Sequence, residues 1–282
     1  MINFDFEYYR PDSVEEAVQA FQNLNGDGKK PMYYGGGTEI ISMGRMDNIS
    51  TEAVIDIKNI PECKILEFQD DYLVIGAGVT LTQIHEANLF PLLAQAGARV
   101  ADHTIQDKVT LGGNLCGTIK YREAVLPLLL AESDIIIAGP QGNKIVPINQ
   151  VFVEHMKLDE GEFITQIWTK KQYLSAPYIH VKRTKQDKIA YPLMTICAMN
   201  AENEIRVAFS GLCNFPFRTH EMELELNKLF LTVEQRVHNA IAAVPVPIFN
   251  DLEGSAEYRK FVLRGLLISI VSELGANSCT PC

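Results

Sequence analysis

The chain has 282 residues, of which 47% are hydrophobic and 21% charged, a composition typical of one large globular domain or two modest ones. Its 25 Lys and Arg against 35 Asp and Glu leave a formal net charge of −10, which argues against a nucleic-acid-binding protein. No segment approaches the roughly 18 consecutive apolar residues of a membrane span, and the N-terminus lacks the basic and apolar regions of a signal peptide.

Residues 1–60 are predicted to form a small α+β unit. Ser13 and Glu16 have the spacing of a capping box, which predicts that a helix begins there and continues along an apolar stripe of helical period. The predicted elements are a strand at residues 4–8, this helix, a strand at 32–34, a glycine-rich loop at 35–40 and a strand at 53–57.

Residues 61–174 repeat this alternation and complete a predicted first domain, residues 1–174. Thr80 and Gln83 have the spacing of a second capping box. The predicted elements are a strand at residues 72–75, the helix opened by Thr80, a helix at 91–101, a second glycine loop at 110–114, a helix at 124–132 and a buried strand at 135–137.

The segment Ser175-Ala176-Pro177 is predicted to mark the boundary to a second domain, residues 175–282. Thr232 and Gln235 have capping-box spacing and open one of its helices. The predicted elements are the strands of a three-stranded antiparallel sheet, at residues 178–181, 193–199 and 205–209, and a helical bundle, at residues 221–231, 233–244 and 258–273.

Several motifs of catalytic and metal sites are missing from the sequence. The first glycine loop has Ile40 where a dinucleotide fingerprint has its third glycine, and the second has Thr118 where a P-loop has its lysine. There is no HExxH or GxSxG, and the six histidines are dispersed. Cys279 and Cys282 form a CxxC, formally a redox or metal motif, but no second pair lies nearby, so we interpret it as a frayed tail. We therefore predict no metal site and no catalytic side chain.

The remaining feature is the pair of glycine loops, each of which follows a short predicted strand. Glycine permits positive φ and lets a backbone approach a ligand closely. If the loops face each other, their N–H groups can bind a diphosphate without a basic residue. Thr38, Thr110 and Asn114 would add side-chain donors. Tight turns are the other interpretation, and the glycines alone leave both open.

The same two loops resemble those of a known family. Residues 34–40, YGGGTEI, are similar to the AGGTDL-type loop of the flavoprotein subunits of molybdenum hydroxylases. That family includes the medium subunit of aerobic carbon monoxide dehydrogenase and the flavin part of xanthine dehydrogenase. Residues 110–116, TLGGNLC, resemble its TIGGNLC-type loop. Further segments that resemble the family lie at residues 54–57, 75–80, 215–218 and 254–260, the last being similar to its C-terminal GSAEYR.

This resemblance implies an α+β flavoprotein that binds FAD. Its first domain would have the two-subdomain FAD-binding fold of the p-cresol methylhydroxylase/vanillyl-alcohol oxidase type, and a C-terminal domain of the carbon monoxide dehydrogenase flavoprotein type would follow. FAD would lie between the two subdomains and the C-terminal domain, with its diphosphate on the glycine loops. The implied cofactor-binding residues of the loops are Gly35, Gly36, Gly37, Thr38, Glu39 and Ile40 in the first, and Thr110, Gly112, Gly113, Asn114 and Cys116 in the second.

The resemblance assigns three more residues to the flavin. Ile164 matches an apolar residue that touches the cofactor, and Lys182 matches a lysine near the flavin ring; the alternatives are a core isoleucine and a solvated lysine. Glu123 falls where the family has a flavin-contacting aspartate. Residues 120–122 replace small residues of the family, and a cation there, such as Arg122, would favour the anionic reduced flavin and raise its potential.

The function implied is electron transfer within a larger complex in the cytoplasm. Substrate would be hydroxylated on a molybdopterin large subunit, and electrons would pass through the clusters of an iron–sulfur small subunit to FAD and then to NAD or another acceptor. Such a flavin subunit needs no acid–base residue of its own. No cysteine cluster is present for an additional iron–sulfur centre. The alternatives are a stand-alone reductase similar to UDP-N-acetylenolpyruvoylglucosamine reductases, and a structural adaptor that has lost FAD.

Overall fold

The computed structural model describes residue 2, residues 4–185 and residues 191–276. These residues form two compact units. Unit 1 comprises Met1–Leu89, Asp102–Thr118 and Glu132–Lys171, and unit 2 comprises Phe90–Ala101, Ile119–Ala131 and Gln172–Cys282, in each case within the described residues. The predicted tail with Cys279 and Cys282 lies outside the described residues.

The strands, in chain order, are β1 (Glu7–Tyr9), β2 (Pro31–Tyr34), β3 (Ala53–Asp56), β4 (Leu66–Gln69), β5 (Tyr72–Gly76), β6 (Asp134–Gly139), β7 (Gly142–Pro147), β8 (Phe152–Val153), β9 (His155–Met156), β10 (Phe163–Lys170), β11 (Tyr178–Thr184), β12 (Pro192–Ala201), β13 (Glu204–Ser210) and β14 (Phe217–Arg218). Two 3-10 helices, Ile57–Asn59 and Pro61–Lys64, follow β3.

The helices, in chain order, are α1 (Val14–Gly26), α2 (Thr38–Arg45), α3 (Leu81–Ala87), α4 (Pro91–Gly97), α5 (His103–Gln106), α6 (Leu111–Cys116), α7 (Val125–Leu130), α8 (Ile148–Val151), α9 (Lys171–Leu174), α10 (His220–Leu226), α11 (Val233–Ala242) and α12 (Ala256–Ala276). Among the described residues, no helix combines the length and the apolar character that crossing a membrane requires.

Unit 1 is built on two sheets. A parallel sheet has the order β1-β3-β2, and an antiparallel sheet has the order β4-β5-β10-β6-β7. The ring of Tyr33 stacks on Phe21 of α1 at 5.2 Å and on Phe163 of β10 at 4.4 Å, and its hydroxyl donates to the Gly161 carbonyl at 3.0 Å. An aromatic stack therefore joins the two sheets, and it adds roughly 0.5–1.5 kcal/mol per pair beyond the area buried.

Unit 2 is built on one antiparallel sheet, in the order β11-β12-β13-β14. Successive side chains of a strand point to opposite faces. Ile196 and Ala198 of β12 pack with Val207 of β13 and with Leu267 of α12 in the apolar core. Thr195 and Cys197, which alternate with them, face the other side, where α4 and α7 contact β11, β12 and β13.

The observed sheet corrects the predicted three strands to four. The additional strand is β14, which has two residues and pairs with β13. It is too short to show an alternating pattern, and it is held in place by the Arg218 guanidinium. That group binds the Glu223 carboxylate at 2.7 and 3.0 Å and donates to the Leu129 carbonyl at 2.7 Å.

The compact units also differ from the predicted division at residue 174. That division assigns α4 and α7 to the first domain, whereas both belong to unit 2. Their apolar residues pack against each other and against the sheet of unit 2. Position along the chain does not determine which core an apolar helix joins, because the hydrophobic effect is non-directional and favours any apolar surface within reach.

The predicted helix starts are confirmed. The Ser13 hydroxyl accepts from the Glu16 amide at 3.1 Å, and complete capping boxes open α3 at Thr80 and α11 at Thr232. At α1 the box is altered, since the Glu16 carboxylate accepts from the Asp12 amide at 2.9 Å. These contacts join residues three or four positions apart, which is why sequence spacing predicts them.

Candidate cofactor site

The first glycine loop leads directly from β2 into α2. Gly37 is the residue before the helix and has φ of 68°, in the left-handed region. A side chain there would overlap the ring of Tyr34, which packs behind the loop. The first N–H groups of a helix have no partner within that helix and carry partial positive charge. The start of α2, at Thr38, therefore has the polarity of an anion-binding site.

The second glycine loop is fixed to the segment that follows β5. The Gly112 amide donates to the Ala77 carbonyl at 2.9 Å, and the Leu111 amide donates to the Val79 carbonyl at 2.8 Å. A Cβ at Gly112 would lie 2.7 Å from that of Ala77. The Thr110 hydroxyl caps the first turn of α6 by accepting from the Gly113 amide at 3.2 Å. The loop is therefore held rigidly, with its glycines required by close packing.

The two loops lie against each other, as the diphosphate hypothesis requires. A Cβ at Gly35 would overlap the Thr110 hydroxyl, and a Cβ at Gly36 would overlap the backbone carbonyl of Lys108. The Glu39 carboxylate accepts from the Thr118 amide at 2.6 Å and from the Thr118 hydroxyl at 2.5 Å. Glu39 thus links α2 to the chain just after α6.

Replacing Glu39 with alanine is expected to lower the free energy of unfolding by about 1–2 kcal/mol, because the Thr118 amide loses a charged acceptor. Thermal unfolding of the apoprotein measures this effect. Glu39→Gln keeps an acceptor oxygen and should lose less. Glu86→Ala, at an exposed position of α3, is the control. Equal stability of Glu39→Ala and the wild type would show that the link between the loops contributes nothing.

Asn114 has a buried polar atom that suits a ligand. The residue is 8% exposed, and among the described residues its Oδ1 atom has no hydrogen-bond partner. An unmet buried acceptor costs roughly 1–3 kcal/mol unless a ligand or water satisfies it. Asn114 lies on α6, the helix that the structure has in place of residues 111–114 of the predicted second loop. The two apposed loops, the start of α2 and this amide together fit the phosphate and polar groups of FAD.

Three other predicted site residues are placed as follows. Ile40 is half-buried on α2, and Cys116 is exposed at the end of α6. Ile164 is 2% exposed on β10, next to a break in the register between Ile164 and Gln166. Its burial agrees with a core isoleucine, and contact with the cofactor stays a prediction.

Lys182 and Glu123 form a buried ion pair in unit 2. Lys182 Nζ lies 2.8 Å from Glu123 Oε1, with the side chains 4% and 3% exposed, and it donates to the Arg99 carbonyl at 2.6 Å. Burial raises the pKa of Glu123, although Lys182 and the Thr195 hydroxyl act to lower it. The alternative interpretation of Lys182 as a solvated lysine is therefore wrong. The assignment of this pair to the flavin ring stays a prediction.

Residues 120–122, where the sequence departs from the family, pack within unit 2. Lys120 Nζ lies 3.3 Å from Asp251 Oδ2 and 4.3 Å from the ring centroid of Phe249. The ring of Tyr121 stacks on Tyr191 at 4.7 Å, and Arg122 is 2% exposed. The large side chains of this segment thus have contacts of their own in the fold.

Sequence reasoning missed two polar residues that share the sheet face of the ion pair. His180 precedes Lys182 by two positions on β11, and Thr195 is the cross-strand partner of Lys182 on β12. Burial, with Arg99 and Lys182, lowers the pKa of His180 to about 4, so its imidazole is neutral near neutral pH. The signal in the sequence was a polar residue at every second position of a strand.

No group of three or more metal-ligating side chains with the geometry to hold a metal ion occurs among the described residues.

Residues 4–168, more than half of the chain, match a family described as the FAD binding domain in molybdopterin dehydrogenase. The chain is 28% identical over 272 residues to the carbon monoxide dehydrogenase medium chain of Hydrogenophaga pseudoflava, with 92% of this chain and 93% of that chain covered. It is 27% identical over 282 residues to the nicotine 6-hydroxylase medium subunit of Paenarthrobacter nicotinovorans, with 96% and 98% covered.

Solved structures confirm the predicted fold class. Carbon monoxide dehydrogenase from Hydrogenophaga pseudoflava, in a form that lacks the Mo-pyranopterin moiety, superposes with a TM-score of 0.85 at 23% identity over 99% of this chain and 100% of that chain. Quinoline 2-oxidoreductase from Pseudomonas putida 86 gives a TM-score of 0.82 at 18% identity, with 98% of each chain covered.

Proposed function

Because the chain belongs to the family of FAD-binding domains of molybdopterin dehydrogenases, we propose that it passes electrons from the clusters of an iron–sulfur subunit through FAD to NAD or another acceptor. The chain is an FAD-binding medium subunit of the molybdenum hydroxylase family and part of an oxidoreductase. The observation that supports the proposal is the apposition of the two glycine loops at the start of α2.

The proposed diphosphate site uses backbone groups. The N–H groups at the start of α2 and of Gly36 would hold the phosphates, and Asn114 would accept a hydrogen bond from the cofactor. Local N–H donors are needed for an anionic cofactor, because a chain with a net charge of −10 repels an anion at long range. Bound FAD supplies the exchange between one-electron and two-electron transfer, and the protein holds it in place.

The proposed partners follow from the relatives. Carbon monoxide dehydrogenase and nicotine 6-hydroxylase each have a medium chain to which this one is similar over nearly its whole length. We propose an iron–sulfur small subunit and a molybdopterin large subunit as partners, in a heterotrimeric complex in the cytoplasm. The substrate would then be determined by the large subunit.

An absorption spectrum of the purified chain, with the chromophore identified after release, tests this function. We expect a flavin spectrum and FAD. Reduced holoprotein mixed with NAD should then be reoxidised in a stopped-flow experiment; if it is not, the acceptor is another oxidant. A colourless chain that takes up no added FAD would indicate the adaptor. Turnover of an oxidisable or reducible substrate by the chain alone would indicate the stand-alone reductase.

A further inference from the structure

Lys58 lies beneath the first glycine loop, a position that the sequence did not indicate. Its Nζ atom donates to the Gly35 carbonyl at 2.7 Å. It also lies 4.7 Å from the ring centroid of Tyr34, the residue whose ring packs behind Gly37. The lysine thus contacts both the loop and the side chain that supports it.

Asp56 holds Lys58 in this position. Both carboxylate oxygens lie 2.8 Å from Lys58 Nζ, one of them accepts from the Lys58 amide at 2.9 Å, and the Tyr8 hydroxyl donates to the other. Asp56 is 3% exposed. Burial acts to raise the pKa of Asp56, but the hydrogen bonds from Lys58 and Tyr8 outweigh it and hold that pKa below its usual value. Asp56 is therefore ionised near neutral pH.

The direction of a peptide group explains why this contact matters. In a trans peptide the C=O and the next N–H point in opposite directions. The peptide between Gly35 and Gly36 has no side chain on either residue, so without a restraint it can rotate easily. Because Lys58 holds the Gly35 carbonyl on its own side, the Gly36 N–H points away from Lys58.

We propose that Lys58 is a positioning residue for the cofactor: held by Asp56, it fixes the Gly35 carbonyl so that the Gly36 N–H is presented to the diphosphate. The inference rests on the proposed diphosphate site. It also places a positive charge beside the Gly35 carbonyl, in a chain with a net charge of −10. A backbone N–H that is already fixed loses less conformational entropy when the ligand binds than a mobile one does.

The test is calorimetric titration of the full apoprotein with FAD, ADP and adenosine. For Lys58→Met we expect FAD and ADP to bind about 10- to 100-fold more weakly, the range for loss of a hydrogen bond to a charged group. Adenosine has no phosphate, and its affinity should stay unchanged. Lys58→Arg keeps a charged donor and should restore most of the affinity. Lys64→Met, at an exposed position of the next 3-10 helix, is the matched control.

The possible outcomes separate this inference from the proposed function. Wild-type affinity of Lys58→Met for FAD and ADP would overturn the positioning role and leave the FAD site intact. Equal losses for ADP and adenosine would also overturn it, since they indicate general disruption of the fold. If Lys58→Met does not fold, the Lys58→Arg and Asp56→Asn titrations decide by the same ADP-to-adenosine comparison. A wild-type chain that binds no FAD would instead contradict the proposed function.

Discussion

Replacing Gly36 with alanine is expected to weaken FAD binding about 100-fold, which corresponds to roughly 2.7 kcal/mol. The new Cβ would overlap the backbone carbonyl of Lys108 and come within 3.3 Å of the Val109 amide nitrogen. These are backbone atoms, so they can move aside only if the two loops separate. Separation would misplace the N–H groups proposed to hold the diphosphate. Titration of the apoprotein with FAD measures the loss.

Gly26→Ala is the matched control for this substitution. Gly26 is the last residue of α1, and a Cβ there meets nothing within 4 Å. Alanine should be neutral or stabilise the chain by up to about 1 kcal/mol, since it favours the helix more than glycine does. If Gly36→Ala bound FAD as tightly as Gly26→Ala, close apposition of the loops would not be needed for binding.

Replacing Lys182 with methionine is expected to lower the free energy of unfolding by about 3–5 kcal/mol at neutral pH. The substitution leaves the Glu123 carboxylate buried without its cation, and an uncompensated buried charge is far more costly than a missing pair. Denaturant unfolding of the apoprotein measures the change. Replacing both charges, with Lys182→Met and Glu123→Gln together, should recover most of the loss for the same reason.

The loss of stability in Lys182→Met should depend on pH in a defined direction. The pKa of Glu123 is raised by burial above its usual 4.5, and removing Lys182 raises it further. The folded state then binds the proton more tightly than the unfolded state, so stability falls as pH rises from the unfolded pKa through the folded one. The deficit of Lys182→Met should therefore be smaller at about pH 5 than at about pH 8. A deficit that grew on acidification would contradict this account.

Lys260→Met provides the control for the loss of a lysine. Lys260 and Glu257 form an ion pair at 3.1 Å on the exposed side of α12, with side chains 47% and 83% exposed. Solvent screens such a pair, and its loss should cost less than about 1 kcal/mol. A loss as large as that of Lys182→Met would show that burial is not the cause.

The sequence predictions that the structure confirms concern residues that lie a few positions apart in the chain. Capping at Ser13, Thr80 and Thr232 was visible as residue spacing, and the glycine loops were visible as composition. The central strand β10 was missed although its eight residues lie in the middle of a sheet. Buried on both faces, it has no alternation, and it includes the polar residues Thr165 and Gln166.

The sequence predicted which residues belong to the candidate site, but it did not predict the contacts that these residues make. Glu39 was expected beside the cofactor, which stays a prediction, and the structure shows its carboxylate hydrogen-bonded to Thr118, 79 positions away. Lys182 was expected near the flavin, with a solvated side chain as the alternative, and it is buried against Glu123. In both cases the partner lies outside the helices and strands and far away along the chain, so no spacing rule applies.

The sequence by itself determined the family, the positions of the two glycine-rich segments and most helices and strands, because loop glycines, caps and hydrophobic periods act within a few residues. The tertiary structure alone decided which core α4 and α7 join, that Gly36 meets Lys108, and that Lys58 reaches the Gly35 carbonyl. These contacts depend on how sheets and helices pack, and packing joins positions that the chain keeps far apart.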